Sequence, residues 1–230
     1  MNAIITGATK GIGRALCFEF ARKGFNLMIS ARTEKDLIEF SNELQSEFGN
    51  KVHYFAADLS KKNEVLEFCK QVSSTLENID VLINNAGVFL PCTILDSKDT
   101  IAYDTMMNLN MNATYYITQS LLPLMLKAQK GHIFNICSIA SIMPYGVYAI
   151  SKHAMIGFSK VLREELKSKN IRVTAVLPGA VLTDSWAGTD LPEDRFIPAE
   201  DIAKSIGDVY ELSDRTDVEE ILLRPQLGDI

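Results

Sequence analysis

Tyr148 and Lys152, in the stretch GVYAISKHAM (146–155), are residues whose types and spacing could support chemistry. Residues four positions apart lie on one face of a helix, so a phenol and an ammonium would be neighbours there. A free phenol has a pKa of about 10, and a nearby cation favours the ionised form of a phenol, so such a pair could exchange a proton with a substrate. The chain has seven tyrosines, and a two-residue pattern of this kind arises easily by chance. The pair therefore needs support from the elements that would position it.

Short apolar runs alternate with longer amphipathic segments along the chain, which predicts alternating strands and helices. The predicted strands are NAIIT (2–6), NLMIS (26–30), VHYFAA (52–57), IDVLIN (79–84), HIFNIC (132–137), RVTAVL (172–177) and EEILLR (219–224). The predicted helical segments are 11–24, 33–49, 60–76, 101–129, 147–168 and 198–212. The alternation is typical of an α/β protein, with one parallel sheet and helices on both of its faces. Residues 1–230 show no internal repeat or linker, so we expect a single domain.

Two of the predicted helices carry start signals in the sequence. Thr33 and Asp36 have the spacing of a capping box, and Ser60 is placed to be an N-cap. Gly24 and Gly49 are stop signals at the ends of two helical segments.

A glycine-rich turn, TGATKGIGRA (6–15), joins the first predicted strand to the first predicted helix. Gly7, Gly11 and Gly13 would allow a sharp turn and a close approach of phosphate to the backbone. The N-terminus of the helix would present free N–H groups and a positive partial charge to a pyrophosphate. The turn therefore indicates a dinucleotide site, although a tight connection without a ligand would explain the same glycines.

The end of the second predicted strand indicates which dinucleotide would bind. An NAD site places an acidic residue there to bind the ribose 2′-hydroxyl, but this chain has Ala31 followed by Arg32. An arginine at this place can bind a 2′-phosphate instead, and Lys10 could reach the same group. The nearby acid, Glu34, is expected in the first turn of the next helix. The sequence therefore predicts NADP(H).

Charge and composition exclude other classes of protein. The formal net charge is −6, which disfavours nucleic acid and anionic membranes as partners because both attract positive surfaces. No run of apolar residues is long enough to span a bilayer, and the opening MNAIITG has no secretory signal pattern. The four cysteines are scattered and the three histidines lack ligand spacing, so we expect reduced thiols, no metal site and a cytoplasmic location.

Several motifs appear in the order typical of one family, and together they give the Tyr148–Lys152 pair its context. They are TGATKGIG (6–13), DL (58–59), NNAG (84–87), LNMNATYYITQ (109–119), NICSIAS (135–141), YAISK (148–152) and PGAVLT (178–183). On these motifs the chain resembles the short-chain dehydrogenase/reductase family from Ile5 to about Arg224. The resemblance implies a Rossmann-type, doubly wound fold with a seven-stranded parallel sheet, and oxidoreductase activity between a nicotinamide and a carbonyl or alcohol.

The resemblance also implies roles for the matching residues. Tyr148 matches the general acid/base, Lys152 its partner, Ser138 the substrate-binding hydroxyl, and Asn110 the residue that extends the proton path. Asn110 is flanked by Asn108 and Asn112, and Ser141 is a weaker alternative to Ser138. The implied cofactor contacts are Gly7, Thr9, Lys10, Gly11, Ile12, Gly13, Arg32, Asp58, Leu59, Asn85, Ala86, Gly87, Tyr148, Lys152, Pro178, Gly179, Val181 and Thr183.

The substrate is less well determined than the reaction. The segment 184–196 follows the nicotinamide motif where the family has its substrate lid, and Trp186 could either contact a substrate or pack against its own domain. A small-molecule carbonyl or alcohol is expected. The alternatives are a 3-oxoacyl thioester on a carrier protein docked at Lys127 and Lys130, a non-catalytic NADP(H)-binding regulator, and an S-adenosylmethionine-dependent methyltransferase. Assembly into a homodimer or homotetramer through the helices at 101–129 and 147–168 is also expected from the family.

Overall fold

The sheet that carries the site contains seven strands, and all of them are parallel. A computed structural model describes residues 1–95, 100–183, 186 and 188–230. The strands are β1 (Asn2–Thr6), β2 (Asn26–Ala31), β3 (Val52–Ala56), β4 (Val81–Asn84), β5 (Gly131–Ile136), β6 (Ile171–Pro178) and β7 (Glu220–Leu223). Their order across the sheet is β3-β2-β1-β4-β5-β6-β7. This is the doubly wound arrangement that the sequence predicts, with the strand order reversing beside β1 and β4.

Helices cross from the end of each strand to the start of the next. The α-helices in the described part of the chain are α1 (Gly11–Arg22), α2 (Glu34–Phe48), α3 (Lys62–Thr75), α4 (Thr100–Met106), α5 (Ala113–Ala128), α6 (Gly146–Leu166) and α7 (Ala199–Tyr210). None of the helices described is long and apolar enough to cross a membrane. The helical segment predicted at 101–129 is interrupted, because a π-helical segment, Met107–Asn112, separates α4 from α5.

Apolar side chains fill both sides of the sheet and hold the strands in place. One buried cluster packs beneath α1, α2 and α7 and includes Phe20, Phe25 and Ile202. The other packs beneath α3, α5 and α6 and includes Phe68 and Leu121. Strands covered on both faces are expected to be apolar without alternation, and β1, β2 and β4 have this pattern.

The helix-start signals are only partly correct. Thr33 is at the N-cap of α2, but its side chain makes no capping hydrogen bond. Ser60 is not the N-cap of α3, because Lys61 occupies that position. The Ser60 hydroxyl donates instead to the Asp58 carboxylate, over 2.7 Å. The stop signal at Gly49 is confirmed, since this residue caps α2 with φ of 74°.

His132 is a buried histidine that lies away from the site, near the start of β5. Its Nε2 lies 2.7 Å from Thr174 Oγ1, and its ring stacks on Phe134 at 3.8 Å between centroids. Burial, with a smaller contribution from the Arg172 charge, lowers the pKa of His132 well below 6.5. The imidazole is therefore neutral in the folded protein, and it serves packing rather than chemistry.

None of the cysteines in the described part of the chain forms a disulfide, and most of them are buried. Cys17, Cys69 and Cys137 lie in the interior, and Cys92 is partly exposed. Burial raises the pKa of the Cys69 and Cys137 thiols to about 11, so thiolate is scarce at neutral pH. No group of three or more His, Cys, Asp or Glu residues among those described could hold a metal ion.

Candidate active site

The glycine-rich turn between β1 and α1 leaves no room for side chains. Gly7 and Gly11 have φ of 65° and 49°, a region that favours glycine. A Cβ atom on Gly13 would lie 2.0 Å from the Gly7 carbonyl oxygen. The N-cap of α1, Lys10, makes no side-chain capping bond, so backbone N–H groups of the first turn remain available. This geometry fits a pyrophosphate at the helix N-terminus.

The end of β4 holds the glycine-rich turn in place through an asparagine. The Asn85 side-chain amide donates to the carbonyl oxygens of Thr6 at 2.9 Å and of Gly7 at 3.1 Å. The Thr6 hydroxyl in turn accepts from the backbone N–H groups of Asn85 and Ala86, both at 3.0 Å. The two strands at the switch point, β1 and β4, are therefore joined at their carboxyl ends, where ligands of this fold bind.

The β6 loop reaches the same turn from the other side. A Cβ atom on Gly11 would lie 2.8 Å from Cγ2 of Thr183, so the two segments are in close contact. Val181 forms an isolated bridge to Ile197, and the Gly179 N–H donates to the Leu223 carbonyl over 2.8 Å. These contacts fix the loop that the sequence assigns to the nicotinamide.

The glycine-rich turn and the end of β2 each carry one basic residue. The Ala8 N–H donates to the Ser30 carbonyl over 3.0 Å, which joins the turn to this strand end. Lys10 lies two residues after Ala8, Arg32 lies two residues after Ser30, and both side chains are exposed. β2 ends at Ala31, so no acidic side chain stands at the place where an NAD site has one. The arrangement fits a 2′-phosphate.

A third basic residue near the turn is engaged elsewhere. Arg14 makes two hydrogen bonds to the Glu43 carboxylate, at 2.6 and 2.8 Å. Its guanidinium also lies 4.4 Å from the centre of the Phe40 ring. Arg14 therefore fastens α1 to α2, and the predicted phosphate ligands stay Lys10 and Arg32.

The Asp58–Leu59 pair after β3 is turned toward the protein itself. Hydrogen bonds from the Ser60 hydroxyl and backbone, with the Lys61 ammonium 3.4 Å away, hold the pKa of Asp58 below its usual value. Leu59 is buried in the core beneath α3. The pair lies at the carboxyl edge of the sheet, as predicted, while its side chains are occupied by contacts within the chain.

Tyr148 and Lys152 lie one turn apart in α6, as their spacing predicts. The Lys152 side chain is buried, and its Nζ donates to the Ile136 carbonyl over 2.9 Å. The same Nζ lies 5.7 Å from the centre of the Tyr148 ring and 3.5 Å from Met155 Sδ. No carboxylate among the described residues pairs with this ammonium. A buried cation without an anionic partner requires polar or anionic groups nearby, and the Tyr148 phenol is one.

Ser138 stands just after the end of β5, next to α6. Its Oγ accepts from the Ala140 N–H over 3.1 Å, so the hydroxyl proton remains available to donate to another group. Ser138 lines a cavity at the carboxyl ends of the strands. Ser141 is buried in the following 3₁₀ turn, so the structure places Ser138, rather than Ser141, where a substrate could be met.

Asn110 lies in the π-helical segment, directly behind the wall of the cavity. It is fully buried, and its Oδ1 accepts from the Val88 N–H over 2.8 Å. Its Nδ2 donates to the Val88 carbonyl and to the Ser151 hydroxyl, both at 3.0 Å. The flanking Asn108 and Asn112 bind each other on the outer surface instead. π-Helical turns are frequent at functional sites, and this one directs Asn110 inward.

A cavity of about 680 Å³ opens at the carboxyl ends of the strands. The predicted site residues that line it are Ile12, Asn85, Gly87, Ser138, Tyr148, Lys152, Pro178, Gly179, Val181 and Thr183. The predicted residues outside this lining are Gly7, Thr9, Lys10, Gly11, Gly13, Arg32, Asp58, Leu59, Ala86 and Asn110. Most of these lie along the adjoining turn and the ends of β2 and β3, where the rest of a dinucleotide would extend.

Some residues of the cavity were not predicted from the sequence. The Phe89 ring contacts the Tyr148 ring edge-on, with 5.2 Å between centroids. Asp229 and Ile230 also line the cavity, although they come long after the last motif. Trp186 lines the cavity and also packs on Phe196, with 5.2 Å between ring centroids. Its position is therefore compatible both with contact to a substrate and with packing against its own domain. Asp184, Ser185 and Ala187 of the predicted lid lie outside the described residues.

Comparison with known proteins decides the family. Residues 1–193 match the sequence pattern of the short chain dehydrogenases. The chain belongs to this family. A sepiapterin reductase from Chlorobaculum tepidum is 37% identical over 99% of this chain and 97% of its own length. An uncharacterised oxidoreductase of Staphylococcus epidermidis is 31% identical over 97% of this chain and 96% of its own.

Solved structures of other proteins share the whole fold. An alcohol dehydrogenase from Thermococcus sibiricus, in complex with 5-hydroxy-NADP, superposes with a TM-score of 0.90 at 27% identity, covering 100% of this chain and 98% of that one. L-Sorbose reductase from Gluconobacter frateurii, in complex with NADPH and L-sorbose, gives 0.89 at 27% identity, with 97% and 95% covered. The protein is therefore an oxidoreductase of this family, and the methyltransferase alternative is excluded.

Proposed function

We propose that this short chain dehydrogenase is an NADP(H)-dependent carbonyl reductase in which Tyr148 gives the proton to the carbonyl oxygen. The observation that carries the proposal is one cavity lined by Tyr148, Ser138 and Lys152 together with the nicotinamide loop at Gly179 and Thr183. A carbonyl reduction needs a hydride at carbon and a proton at oxygen, and bound NADPH supplies the hydride. The chain supplies position and the proton.

The side chains divide this work among them. The Ser138 hydroxyl donates a hydrogen bond to the carbonyl oxygen and stabilises the negative charge that develops there. The Tyr148 hydroxyl transfers its proton to the same oxygen, so that the C=O π electrons end in the new O–H bond. The buried Lys152 ammonium, anchored on the Ile136 carbonyl, stabilises the phenolate left on Tyr148. In the reverse direction the phenolate accepts the proton of an alcohol.

Asn110 is proposed to hold the wall of the site rather than to touch the substrate. It binds both backbone groups of Val88, which lines the cavity. A Cβ atom on Gly87 would meet both the Asn110 side chain at 3.2 Å and the Lys152 ammonium at 3.7 Å. Both side chains therefore lie beside Gly87, which is compatible with the expected proton path from Lys152 toward Asn110.

The cofactor is proposed to be NADP(H) rather than NAD(H). Lys10, at the N-cap of α1, and Arg32, just after β2, are both exposed, and β2 ends without an acid. Structural neighbours in complex with NADP or NADPH support the same cofactor. A lower KM for NADPH than for NADH, lost in Arg32→Gln, is the expected result. An enzyme that prefers NADH would contradict this part of the proposal.

The substrate is proposed to be a small ketone joined to an aromatic or heteroaromatic ring. Phe89 and Trp186 give the cavity two aromatic walls, and Leu90 and Ile230 add apolar surface. Aromatic walls favour flat ring systems. Sepiapterin, which carries a ketone on a pteridine ring, is the first compound to test because of the sepiapterin reductase relative.

The carrier-protein alternative has little support from the surface. Lys127 and Lys130 lie at the end of α5 and just before Gly131, where β5 starts, whereas the cavity lies beyond the other end of that strand. A strand of this length separates the two edges by about 20 Å. An acyl chain delivered at the lysines would therefore reach the wrong edge of the sheet.

The decisive experiment follows absorbance at 340 nm with NADPH across sepiapterin, 1-phenylpropane-1,2-dione, L-sorbose and acetoacetyl-coenzyme A. Tyr148→Phe should abolish turnover while NADPH binding, measured by fluorescence, persists. Tyr145→Phe is the matched control, since Tyr145 also lines the cavity and the substitution likewise removes a phenol hydroxyl. Turnover of the Tyr148→Phe variant near the wild-type rate would refute the role of the phenol. NADPH binding without turnover of any carbonyl by the wild type would favour the regulator alternative.

Assembly and location stay predictions. Tyr115 and Leu126 on α5 and Val161 on α6 are exposed, which is compatible with the dimer or tetramer expected through these helices. Light scattering of the purified protein distinguishes these states from a monomer.

A further inference from the structure

Ser151 is a buried residue of α6 that lies between Tyr148 and Lys152 in the chain. Its hydroxyl donates to the Tyr148 carbonyl over 2.8 Å and accepts from Nδ2 of Asn110 over 3.0 Å. A serine that bonds to the preceding turn of its own helix slightly destabilises that helix, so the stability of α6 does not account for this hydroxyl. Its second bond leaves the helix and reaches the π-helical segment, Met107–Asn112.

The hydrogen bonds around Ser151 all run in one direction. A serine hydroxyl has one proton, and the Tyr148 carbonyl receives it, so the oxygen faces Asn110 as an acceptor. The Asn110 amide therefore presents its NH₂ group to Ser151 and its oxygen to Val88, whose N–H donates to that oxygen over 2.8 Å. Both ends of the amide require the same orientation. The resulting chain of donors runs from Val88 to the Tyr148 carbonyl, and hydrogen bonds aligned in this way strengthen one another.

This chain of hydrogen bonds joins two parts of the proposed active site that are distant in sequence. Val88 lines the cavity, and the first turns of α6 carry Tyr148 and Lys152. The Lys152 ammonium has its own anchor on the Ile136 carbonyl, whereas Ser151 acts on the helix backbone at the Tyr148 turn. A shift of this turn relative to Val88 would change the distance from the phenol to a carbonyl bound against that wall.

We propose that Ser151 is a positioning residue, whose hydroxyl holds the Tyr148 turn of α6 against the wall formed by Asn110 and Val88. The inference rests on the proposed carbonyl reductase activity and adds to it a residue whose side chain does not line the described cavity. Loss of the hydroxyl would leave an N–H of Asn110 buried without an acceptor, which is costly. The space of one oxygen atom is too small for a water molecule to replace it, so the amide and its neighbours would have to move.

Two substitutions of similar shape separate the hydrogen bonds of Ser151 from its packing. Threonine and valine both add a methyl group to this buried position, but only threonine keeps a hydroxyl, which in a helix can bond to the carbonyl one turn earlier. Initial rates are measured at 340 nm with saturating NADPH, on whichever of the four carbonyls proposed above gives the highest kcat/KM. The kcat of Ser151→Val should be at least about 10-fold below that of Ser151→Thr. The KM for NADPH should be alike in the two variants.

Ser159, further along α6, supplies the matched control. Its hydroxyl donates to the Met155 carbonyl and accepts from the Asn135 amide, both over 2.8 Å, so its bonds are of the same kind. It is also buried, and its side chain does not line the described cavity. Ser151→Ala and Ser159→Ala should lower the midpoint of urea unfolding by similar amounts. Only Ser151→Ala should lower kcat, by at least about 10-fold, while Ser159→Ala keeps the wild-type value.

The outcomes separate the inference from the activity on which it rests. A wild type that reduces none of the four carbonyls contradicts the proposed function and the inference with it. Turnover by the wild type, with equal kcat in Ser151→Ala and Ser159→Ala, overturns the role of Ser151 alone. A loss confined to the KM for NADPH also overturns it, because the hydroxyl would then serve the cofactor. If Ser151→Ala does not fold, the ratio of kcat between Ser151→Thr and Ser151→Val decides, and a ratio of one refutes the inference.

Discussion

Replacement of Asn110 by alanine should destabilise the protein far more than the same change at Asn112, two residues away. Asn110 makes three hydrogen bonds, at 2.8, 3.0 and 3.0 Å, and is fully buried. Each bond contributes about 1 kcal/mol net, so Asn110→Ala should cost about 3 kcal/mol. Asn112 donates one hydrogen bond, to Asn108, on the exposed face, and its removal should cost about 0.5 kcal/mol or less.

The loss at Asn110 should also reach the chemistry. The backbone N–H and carbonyl groups of Val88 would both lose their hydrogen-bond partner. Val88 lines the same cavity as Tyr148. A displacement of about 1 Å in such a wall can lower kcat by up to about 100-fold. The Asn112→Ala variant leaves the wall untouched and should turn over at the wild-type rate.

Urea unfolding followed by circular dichroism measures the stability difference, with the slope m checked for constancy. Initial rates with NADPH give the second readout on the same preparations. If Asn110→Ala and Asn112→Ala unfold within about 0.5 kcal/mol of each other, the inward asparagine is not holding the Val88 segment, and the account of the π-helical turn fails.

Three further changes test other parts of the site and fold. Ser138→Ala should lower kcat by about 100-fold, as for the loss of one oxyanion donor, whereas Ser141→Ala should leave kcat unchanged. Equal losses of kcat in the two variants would contradict the assignment of the oxyanion donor to Ser138. Gly13→Ala places a Cβ 2.0 Å from a backbone oxygen of the turn and should raise the KM for NADPH at least about 10-fold. At Gly157, by contrast, an added Cβ meets nothing within 4 Å, so Gly157→Ala should stabilise its helix by up to about 1 kcal/mol. The pKa of His132 is lowered in the fold, so the unfolded chain takes up the proton first, and the free energy of unfolding falls as pH drops below about 6.5. Between pH 7.5 and 5.5 the free energy of unfolding measured in urea should fall by about 1.4 kcal/mol more for the wild type than for His132→Gln. Equal losses in the two proteins would show that the imidazole is not buried as described.

The strands and helices were predictable because each follows the spacing of its own apolar residues. β1 begins and ends where the run NAIIT does, and α2 ends at Gly49 as its stop signal indicates. The caps were harder, since a hydroxyl near a helix start has competing partners. Ser60 binds the Asp58 carboxylate at 2.7 Å, a charge-assisted bond that is stronger than a neutral cap.

The π-helical turn could not be predicted from the sequence for a related reason. The run MNLNMN keeps helical periodicity, and nothing local distinguishes Asn110 from Asn108 or Asn112. The difference arises from Val88, which is distant in the chain and offers two backbone groups to one side chain. Tertiary hydrogen bonds of this kind select one register of the helix over another.

The proximity of the proposed cofactor residues was predictable because they lie in short motifs at strand ends. Parallel strands bring those ends to one edge, so motif order alone places them together. Asp229 is different, because its position depends on how the chain turns after β7. The glycine before it, Gly228, has a positive φ and was the available signal for that turn.

The four-residue spacing of Tyr148 and Lys152 is necessary for the proposed chemistry, but it does not fix where the ammonium lies. A lysine side chain on an exposed helix face samples many rotamers, and the same spacing there would hold the two groups together only part of the time. Here the Ile136 carbonyl at the end of β5 accepts from Nζ, and burial leaves the side chain little freedom. Ser138 follows two residues later, just after the same strand end, so one segment sets both the cation 5.7 Å from the centre of the phenol ring and a hydroxyl that lines the same cavity. The proposed proton donor, its cation and the proposed oxyanion donor are thus positioned by the packing of α6 on the sheet, so a pair that chance produces easily in sequence would carry this function only within such a fold.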